Sequence, residues 1–160
     1  MKDKKLKLDF ISVILIIILC ILIYCYAQIT IMGKPYVNFC GHTVFQVITG
    51  SMSGVIEIKD VVIVKLTKAI EVNDIITYES QGNFITHRVI EKDGNTLITK
   101  GDANTSEDSP IELNNVVGKV VKIIPNVGTW LEVIKAPQVI IAIIVTLIVI
   151  KLLFFSEIKK

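Results

Sequence analysis

The feature that most constrains this chain is an uninterrupted apolar run near its N-terminus. Phe10 to Ala27 carries no charged residue over 18 positions, and Ile29 to Met32 can extend the run. A helix needs roughly 20 such residues to cross the hydrocarbon core of a bilayer. The run therefore predicts a transmembrane helix over residues 10–32. It is longer than the ~7 to 15 apolar residues of a cleavable signal peptide, so we expect it to remain as an anchor.

A second apolar run, Val139 to Phe155, is interrupted by one charge, Lys151. The long stem of a lysine near a helix end can carry its ammonium to the headgroups, so this run predicts a second span over residues 136–155. Lysines that precede the first span or follow the second mark those sides as cytoplasmic: Lys2, Lys4, Lys5, Lys7, Lys159 and Lys160.

These spans predict a multi-pass protein of the cell membrane, or of the endoplasmic reticulum membrane if the source is eukaryotic. Residues 1–9 and 156–160 would be cytoplasmic tails, and residues 33–135 one extracytoplasmic domain. That outer part has 10 basic and 12 acidic residues, which excludes a nucleic-acid footprint. Cys40 is its only cysteine, so no disulfide framework is available within one chain.

The outer domain is predicted to be mainly β. Short apolar or alternating segments separated by turn residues are typical of strands. Those segments are Val61–Val64, Ile75–Tyr78, Phe84–Glu91, Thr96–Lys100 and Gly118–Ile124. No segment of this domain has a convincing helical pattern, so we expect a β domain flanked by one transmembrane helix at each end.

A candidate reactive serine follows the first span. The apolar run Val44 to Gly54 ends in a Gly-Ser-Met turn that contains Ser51. A strand that delivers a serine onto such a turn holds the hydroxyl at the edge of a sheet, where an extended peptide can lie across it. His87 lies between Ile85 and Val89 on one face of an alternating segment, which predicts partial shielding from water.

Acyl transfer needs a nucleophile, a base, a group that orients the base, and donors for the oxyanion. Ser51 is the candidate nucleophile, and His87 is the candidate base because histidine changes charge near neutral pH. Either Asp108 or Asp102, both in the polar loop after Lys100, would orient the imidazole. The backbone N–H of Ser51 and the hydroxyl of Thr49 are the candidate oxyanion donors. This chemistry needs no metal or other cofactor.

Three motifs carry a family resemblance. T-G-S-M at Thr49–Met52, T-H-R-V at Thr86–Val89 and K-G-D-A-N…D at Lys100–Asp108 resemble the three boxes of type I signal peptidases. The match is to the endoplasmic-reticulum and archaeal branch, which includes the SipW-like enzymes. In that branch a histidine stands where the more common bacterial enzymes carry a catalytic lysine, and His87 occupies that place. The resemblance extends over about Val44 to Val121.

The resemblance implies a membrane-tethered β domain that cleaves signal peptides from secreted preproteins after small residues. Carried over by position, it makes Ser51 the nucleophile, His87 the base, Asp108 the charge-relay acid and Asp102 a second acid important to the site. The expected partners are secreted preproteins and the lipid bilayer, with membrane partner subunits left open.

One position departs from the family pattern S-M-x-P, because Gly54 stands in place of the proline. Loss of proline loosens a turn without removing a reacting group. Gly54 is also the feature that most favours the alternative function, a non-catalytic membrane-anchored β module of a secretion or surface-fibre assembly system. A related serine protease that cuts itself or a regulator is a further alternative.

Overall fold

The computed structural model describes residues 10–130, 138–139, 141–142 and 145–146, and the chain divides into two compact units between Thr43 and Val44. The elements are α1 (Phe10–Tyr26), a π-helical turn (Ala27–Ile31), β1 (His42–Gln46), β2 (Val61–Lys65), β3 (Ile75–Ser80), β4 (Asn83–Asp93), β5 (Thr96–Lys100), β6 (Ile111–Glu112), a 3₁₀ turn (Leu113–Asn115) and β7 (Val116–Ile124). Residues 127–130 are also helical.

The first unit contains α1, which runs directly into the π-helical turn. Gln28 in that turn is buried, and its side-chain amide makes two hydrogen bonds with the backbone of Asn38, at 2.9 and 3.0 Å. The hydroxyl of Tyr24 donates to the same carbonyl at 2.6 Å. The segment that follows the helix is therefore folded back onto the helix end by polar contacts.

Within the described part of the chain, no helix is both long and apolar enough to cross a bilayer. The spans predicted over residues 10–32 and 136–155 gain no support from this finding and stay predictions. The predicted second span lies largely outside the described residues.

The second unit is built on a seven-stranded sheet in the order β1-β2-β7-β3-β4-β5-β6, and its ladders are antiparallel. The predicted mainly-β fold is confirmed, and each of the five predicted strands lies within an observed one. The short strand β6 was not predicted. The strand expected to deliver Ser51 ends at Gln46, so Ser51 lies in the turns that follow and not at a strand end.

A hydrophobic core cluster packs against one face of this sheet. Five of its side chains lie at inward positions of neighbouring strands, Ile76, Tyr78, Val89, Leu97 and Val116, and Ile70 joins them from the segment between β2 and β3. Strand side chains alternate between faces, and His87 is paired with Ile76 and lies two residues before Val89. The alternation therefore places a titratable imidazole on the same face as the apolar core.

The hairpin that carries His87 has its register set by a two-residue turn. Gln81 and Gly82 both have positive φ, at 51° and 77°, as the tightest hairpin turns require. The Ser80–Asn83 pair closes the β3–β4 ladder beside this turn. Because a shift of one residue would move every side chain to the other face, the turn fixes which face His87 occupies.

Gly118 allows the central strand β7 to fit closely against its neighbour. A methyl group at this position would collide with the carbonyl of Lys65 on β2. The obstacle is backbone, which cannot move aside as the end of a side chain can. The position therefore accepts only glycine without a shift of the β2–β7 ladder.

We expect Gly118→Ala to lower the free energy of unfolding by about 3 kcal/mol, because overpacking against backbone forces the ladder apart. Urea unfolding followed by circular dichroism measures this loss. Gly82→Ala is the matched control: its methyl would meet open space, and only the positive φ opposes it, at a cost of about 1 kcal/mol. Equal losses in the two variants would contradict the steric argument.

Candidate active site

Ser51 lies in a compact turn held by its own backbone. Ser53 N–H donates to the carbonyl of Gly50 at 3.0 Å, and Ile56 N–H donates to that of Met52 at 2.9 Å. The side chains of Met52 and Ile56 are fully buried, while Ser51 is half-buried. Packing thus anchors the turn on the C-terminal side of the serine, and Ser51 itself lines a cleft.

His87 brings its imidazole to this hydroxyl. Its Nε2 lies 3.0 Å from Ser51 Oγ, although the two residues are 36 positions apart in the chain. The residue is only 6% exposed, and its ring meets the ring of Tyr78 edge-on at 6.4 Å between centroids. The imidazole is therefore almost completely enclosed, with Tyr78 of β3 as its aromatic neighbour.

Asp108 meets the other side of the ring. Its Oδ2 lies 2.5 Å from His87 Nδ1. A carboxylate can only accept a hydrogen bond, so Nδ1 donates, which leaves Nε2 to accept from Ser51. A hydroxyl, an imidazole and a carboxylate in this order form the arrangement that serine hydrolases use for acyl transfer.

Two further hydroxyls contact the same carboxylate oxygen. Thr99 Oγ1 donates to Asp108 Oδ2 at 2.7 Å, and Tyr78 Oη donates to it at 3.2 Å. Burial raises the pKa of the Tyr78 phenol, and the negative charge of Asp108 and the hydrogen bond to it raise it further. Tyr78 thus keeps its proton, and remains a donor, across the neutral pH range.

Asp102 occupies a different position from Asp108. Its two carboxylate oxygens accept from Arg88 Nε at 2.9 Å and from Arg88 Nη2 at 2.6 Å, and Arg88 also donates to the carbonyl of Asn73 at 3.0 Å. The hydrogen bonds to Asp102 raise the pKa of the Arg88 guanidinium. Of the two candidate acids, Asp108 faces the imidazole, and Asp102 secures the base of the loop that carries Asp108.

That loop also lies against the serine. Ala103 N–H donates to the carbonyl of Ser51 at 2.9 Å, and Asp102 N–H points at the sulfur of Met52 at 3.4 Å. A methyl group on Gly101 would lie 2.5 Å from the Ser51 carbonyl oxygen. The absence of a side chain at Gly101 therefore permits the close approach between the acid-bearing loop and the nucleophile turn.

A cleft of about 620 Å³ opens beside Ser51 and His87, and Thr49 lies on its wall. Its other walls are residues 45–48 and the first part of β4, residues 83–86, with the rings of Phe45 and Phe84 4.8 Å apart. The β4–β5 ladder begins at Arg88, so the cleft lies beside the part of β4 that precedes this ladder. Both candidate oxyanion donors, Ser51 N–H and the Thr49 hydroxyl, belong to cleft-lining residues.

The turn after the serine is closed without proline. Gly54 has a φ of 95°, which proline cannot adopt, and its N–H donates to Glu57 Oε1 at 2.7 Å. Glu57 N–H donates in turn to Asp60 Oδ2 at 2.9 Å, and Asn126 N–H donates to Asp60 Oδ1 at 3.0 Å. This series of hydrogen bonds closes the turn without a proline.

Tyr78 and Thr99 are site residues that sequence reasoning missed. Both lie at inward positions of strands whose other inward residues are apolar, Ile76 on β3 and Leu97 on β5. A hydroxyl at such a position needs a hydrogen-bond partner. This requirement could have marked Tyr78 and Thr99 as residues with a buried hydrogen bond, but the sequence does not show which group is the partner.

Comparison of the sequence with models of protein families and with curated proteins gives no match. The arrangement of Ser51, His87 and Asp108 therefore rests on the geometry above, and the roles assigned to these residues stay predictions.

We expect Gly54→Pro to destabilise this protein. Proline would force φ to about −65° and remove the N–H that bonds to Glu57. The midpoint of thermal unfolding should therefore fall. In Gly54→Ala the N–H remains and only the positive φ is strained, so its loss should be smaller. A proline variant as stable as the parent would show that the turn is not closed through Glu57.

The paired hydrogen bonds between Arg88 and Asp102 predict a measurable coupling free energy between the two side chains in protein stability. The two side chains are 29% and 20% exposed, so we expect a double-mutant cycle to alanine to give about 1 kcal/mol. The ion pair between Lys119 and Asp74 is the comparison. Its lysine is more exposed, and its coupling should be smaller. A coupling near zero for Arg88 and Asp102 would contradict a securing role.

Proposed function

We propose that this chain is a membrane-bound serine endopeptidase of the signal peptidase I type, which removes signal peptides from secreted preproteins. One observation carries the proposal: Ser51 Oγ, the two nitrogens of His87 and the Asp108 carboxylate are in hydrogen-bonded series at the edge of an open cleft. The resemblance of the three sequence motifs to that family supports the same function.

In the proposed mechanism Ser51 Oγ attacks the scissile carbonyl while His87 Nε2 takes its proton. Asp108 accepts from Nδ1–H and stabilises the imidazolium that forms. The oxyanion is held by Ser51 N–H and the Thr49 hydroxyl, worth roughly 3 kcal/mol per donor. His87 then protonates the leaving amine, and water enters to release the acyl group by the reverse sequence of proton transfers.

The walls of the cleft suit an extended peptide. A peptide strand that lies between residues 45–49 and residues 83–87 would form main-chain hydrogen bonds with an exposed edge, which sets its register. The apolar side chains of the walls, including Phe45, Ile48 and Phe84, would take up alternate side chains of the substrate. In this pose the scissile carbonyl would lie next to Ser51.

The predicted spans are part of the proposal. Helices over residues 10–32 and 136–155 would hold the domain on the extracytoplasmic face of the membrane, at the depth where the cleavage site of a preprotein emerges. Tethering enzyme and substrate to one surface raises their effective concentration and limits their relative orientations. A requirement for membrane partner subunits would appear as inactivity of the chain alone in liposomes.

The alternative, a non-catalytic anchored β module, was favoured above all by Gly54. The hydrogen bond from Gly54 N–H to Glu57 supplies a closed turn in the absence of proline, so this glycine no longer argues against catalysis. We therefore retain the peptidase as the proposal.

We expect Ser51→Ala and His87→Ala each to lower the rate of preprotein cleavage by about 10³-fold or more, because nucleophile and base act as a unit. Asp108→Asn should lose a comparable factor, because the imidazole would adopt the wrong tautomer. The measurement is cleavage of a model preprotein by the purified full chain in detergent or liposomes.

Matched controls for these variants are Ser106→Ala, at an exposed loop position, and His42→Ala, at the other histidine of the chain. Both should cleave at the parental rate, and circular dichroism should show that every variant is folded. Undiminished cleavage by Ser51→Ala would refute the mechanism.

A further inference from the structure

We propose that Thr99 and Tyr78 are positioning residues, whose hydroxyls hold the Asp108 carboxylate in the orientation that His87 requires. This inference rests on the proposed function for its kinetic consequence. Its structural consequence, a fixed hydrogen bond between Asp108 and His87, can be measured without any activity.

The geometry concentrates three donors on one oxygen. Asp108 Oδ2 accepts from His87 Nδ1 at 2.5 Å, from Thr99 Oγ1 at 2.7 Å and from Tyr78 Oη at 3.2 Å. Thr99 also lies 3.3 Å from Tyr78 Oη, but its hydroxyl has a single proton. The shorter, charge-assisted contact with Asp108 is the stronger, so Thr99 donates there.

Both hydroxyls are placed by the sheet and not by the loop that they hold. Tyr78 is on β3 and Thr99 on β5, the two strands that flank β4 and its His87. Thr99 is fully buried and Tyr78 is 2% exposed, so close packing around both side chains opposes a change of rotamer. The backbone adds a further tie, since Asp108 N–H donates to the Thr99 carbonyl at 2.8 Å.

The contacts with Thr99 and Tyr78 restrict rotation of the Asp108 carboxylate. Asp108 is on a long loop between β5 and β6, and a carboxylate there could turn toward water and leave the imidazole. Two buried donors on rigid strands make that rotation costly, because each would lose a partner inside the core. The hydroxyls therefore fix the carboxylate of Asp108 relative to the sheet, although Asp108 itself lies on a loop.

A positioning role predicts a lower kcat with an unchanged KM. Among the described residues, those that line the cleft do not include Thr99, Tyr78 or Asp108. Loss of either hydroxyl should thus leave substrate binding unchanged and weaken only the step in which His87 becomes charged. A merely structural role would instead lower the amount of folded protein and leave the properties of the folded fraction intact.

The first experiment measures cleavage of a model preprotein by the full chain, with each variant normalised to folded protein. We expect Thr99→Val and Tyr78→Phe each to lower kcat about tenfold, the effect of one lost hydrogen bond, with KM within about twofold of the parent. Thr99→Ser, which keeps the hydroxyl, should recover most of kcat. Thr77→Val is the matched control, since Thr77 is also fully buried but bonds to Thr86, at 2.9 Å.

The second experiment follows the Nδ1 proton of His87 by NMR in the full chain in detergent micelles. The short bond to Asp108 predicts a strongly deshielded signal in the parent, which His87→Ala should abolish. Thr99→Val and Tyr78→Phe should shift or broaden this signal, while Thr77→Val should leave it in place.

The two experiments separate failure of this inference from failure of the proposed function. If the parent cleaves through Ser51 but Thr99→Val and Tyr78→Phe keep both kcat and the proton signal, the positioning role is wrong and the peptidase stands. If the parent cleaves no preprotein, the proton signal still decides: a signal unchanged by both substitutions overturns the inference, and a displaced one supports it.

Discussion

A carboxylate set against an apolar core is the constraint on which the rest of this structure depends. Asp108 lies where the inward face of the sheet reaches its polar loop. Its side chain is 23% exposed, so a carboxylate without partners there would lose part of its hydration and destabilise the fold. Its Oδ2 is compensated by an imidazole and two hydroxyls, all contributed by adjacent strands. The contacts that stabilise the carboxylate also hold the imidazole in place. The same interactions therefore contribute to the stability of the fold and to the geometry of the site.

The nucleophile is held by a separate set of interactions. The buried side chains of Met52 and Ile56 anchor its turn. The hydrogen bonds from Gly54 to Glu57 and from Glu57 to Asp60 close the segment that follows the turn. The two sets meet where Ala103 N–H donates to the Ser51 carbonyl. Their relative position is then a matter of backbone contact, which tolerates little displacement. The proposed catalysis would require such rigidity, since a shift of about 1 Å can cost two orders of magnitude in rate.

Much of the fold was accessible from the sequence. Short apolar or alternating segments, together with the turn residues between them, located five strands, because such segments are typical of strands with a buried face. The segment after Val44 is where this reasoning failed. Its apolar residues continue past Gln46, and there two of them, Met52 and Ile56, are buried by a compact turn that is not a strand. A short apolar run does not reveal which of the two buries it. The two-residue strand β6 is too short to carry a pattern at all.

The sequence by itself determined which residue types were available for chemistry: one serine on a Gly-containing turn, a histidine at an inward strand position, and two acids in one loop. It left open which acid meets the imidazole. Only the tertiary structure decided that Asp108 does so and that Asp102 pairs with Arg88. It alone also brought in Tyr78 and Thr99. The physical reason is that side-chain periodicity specifies the face of a strand, whereas contacts across 21 or 36 positions depend on strand order, register and loop path. Those are set by the packing of the whole sheet.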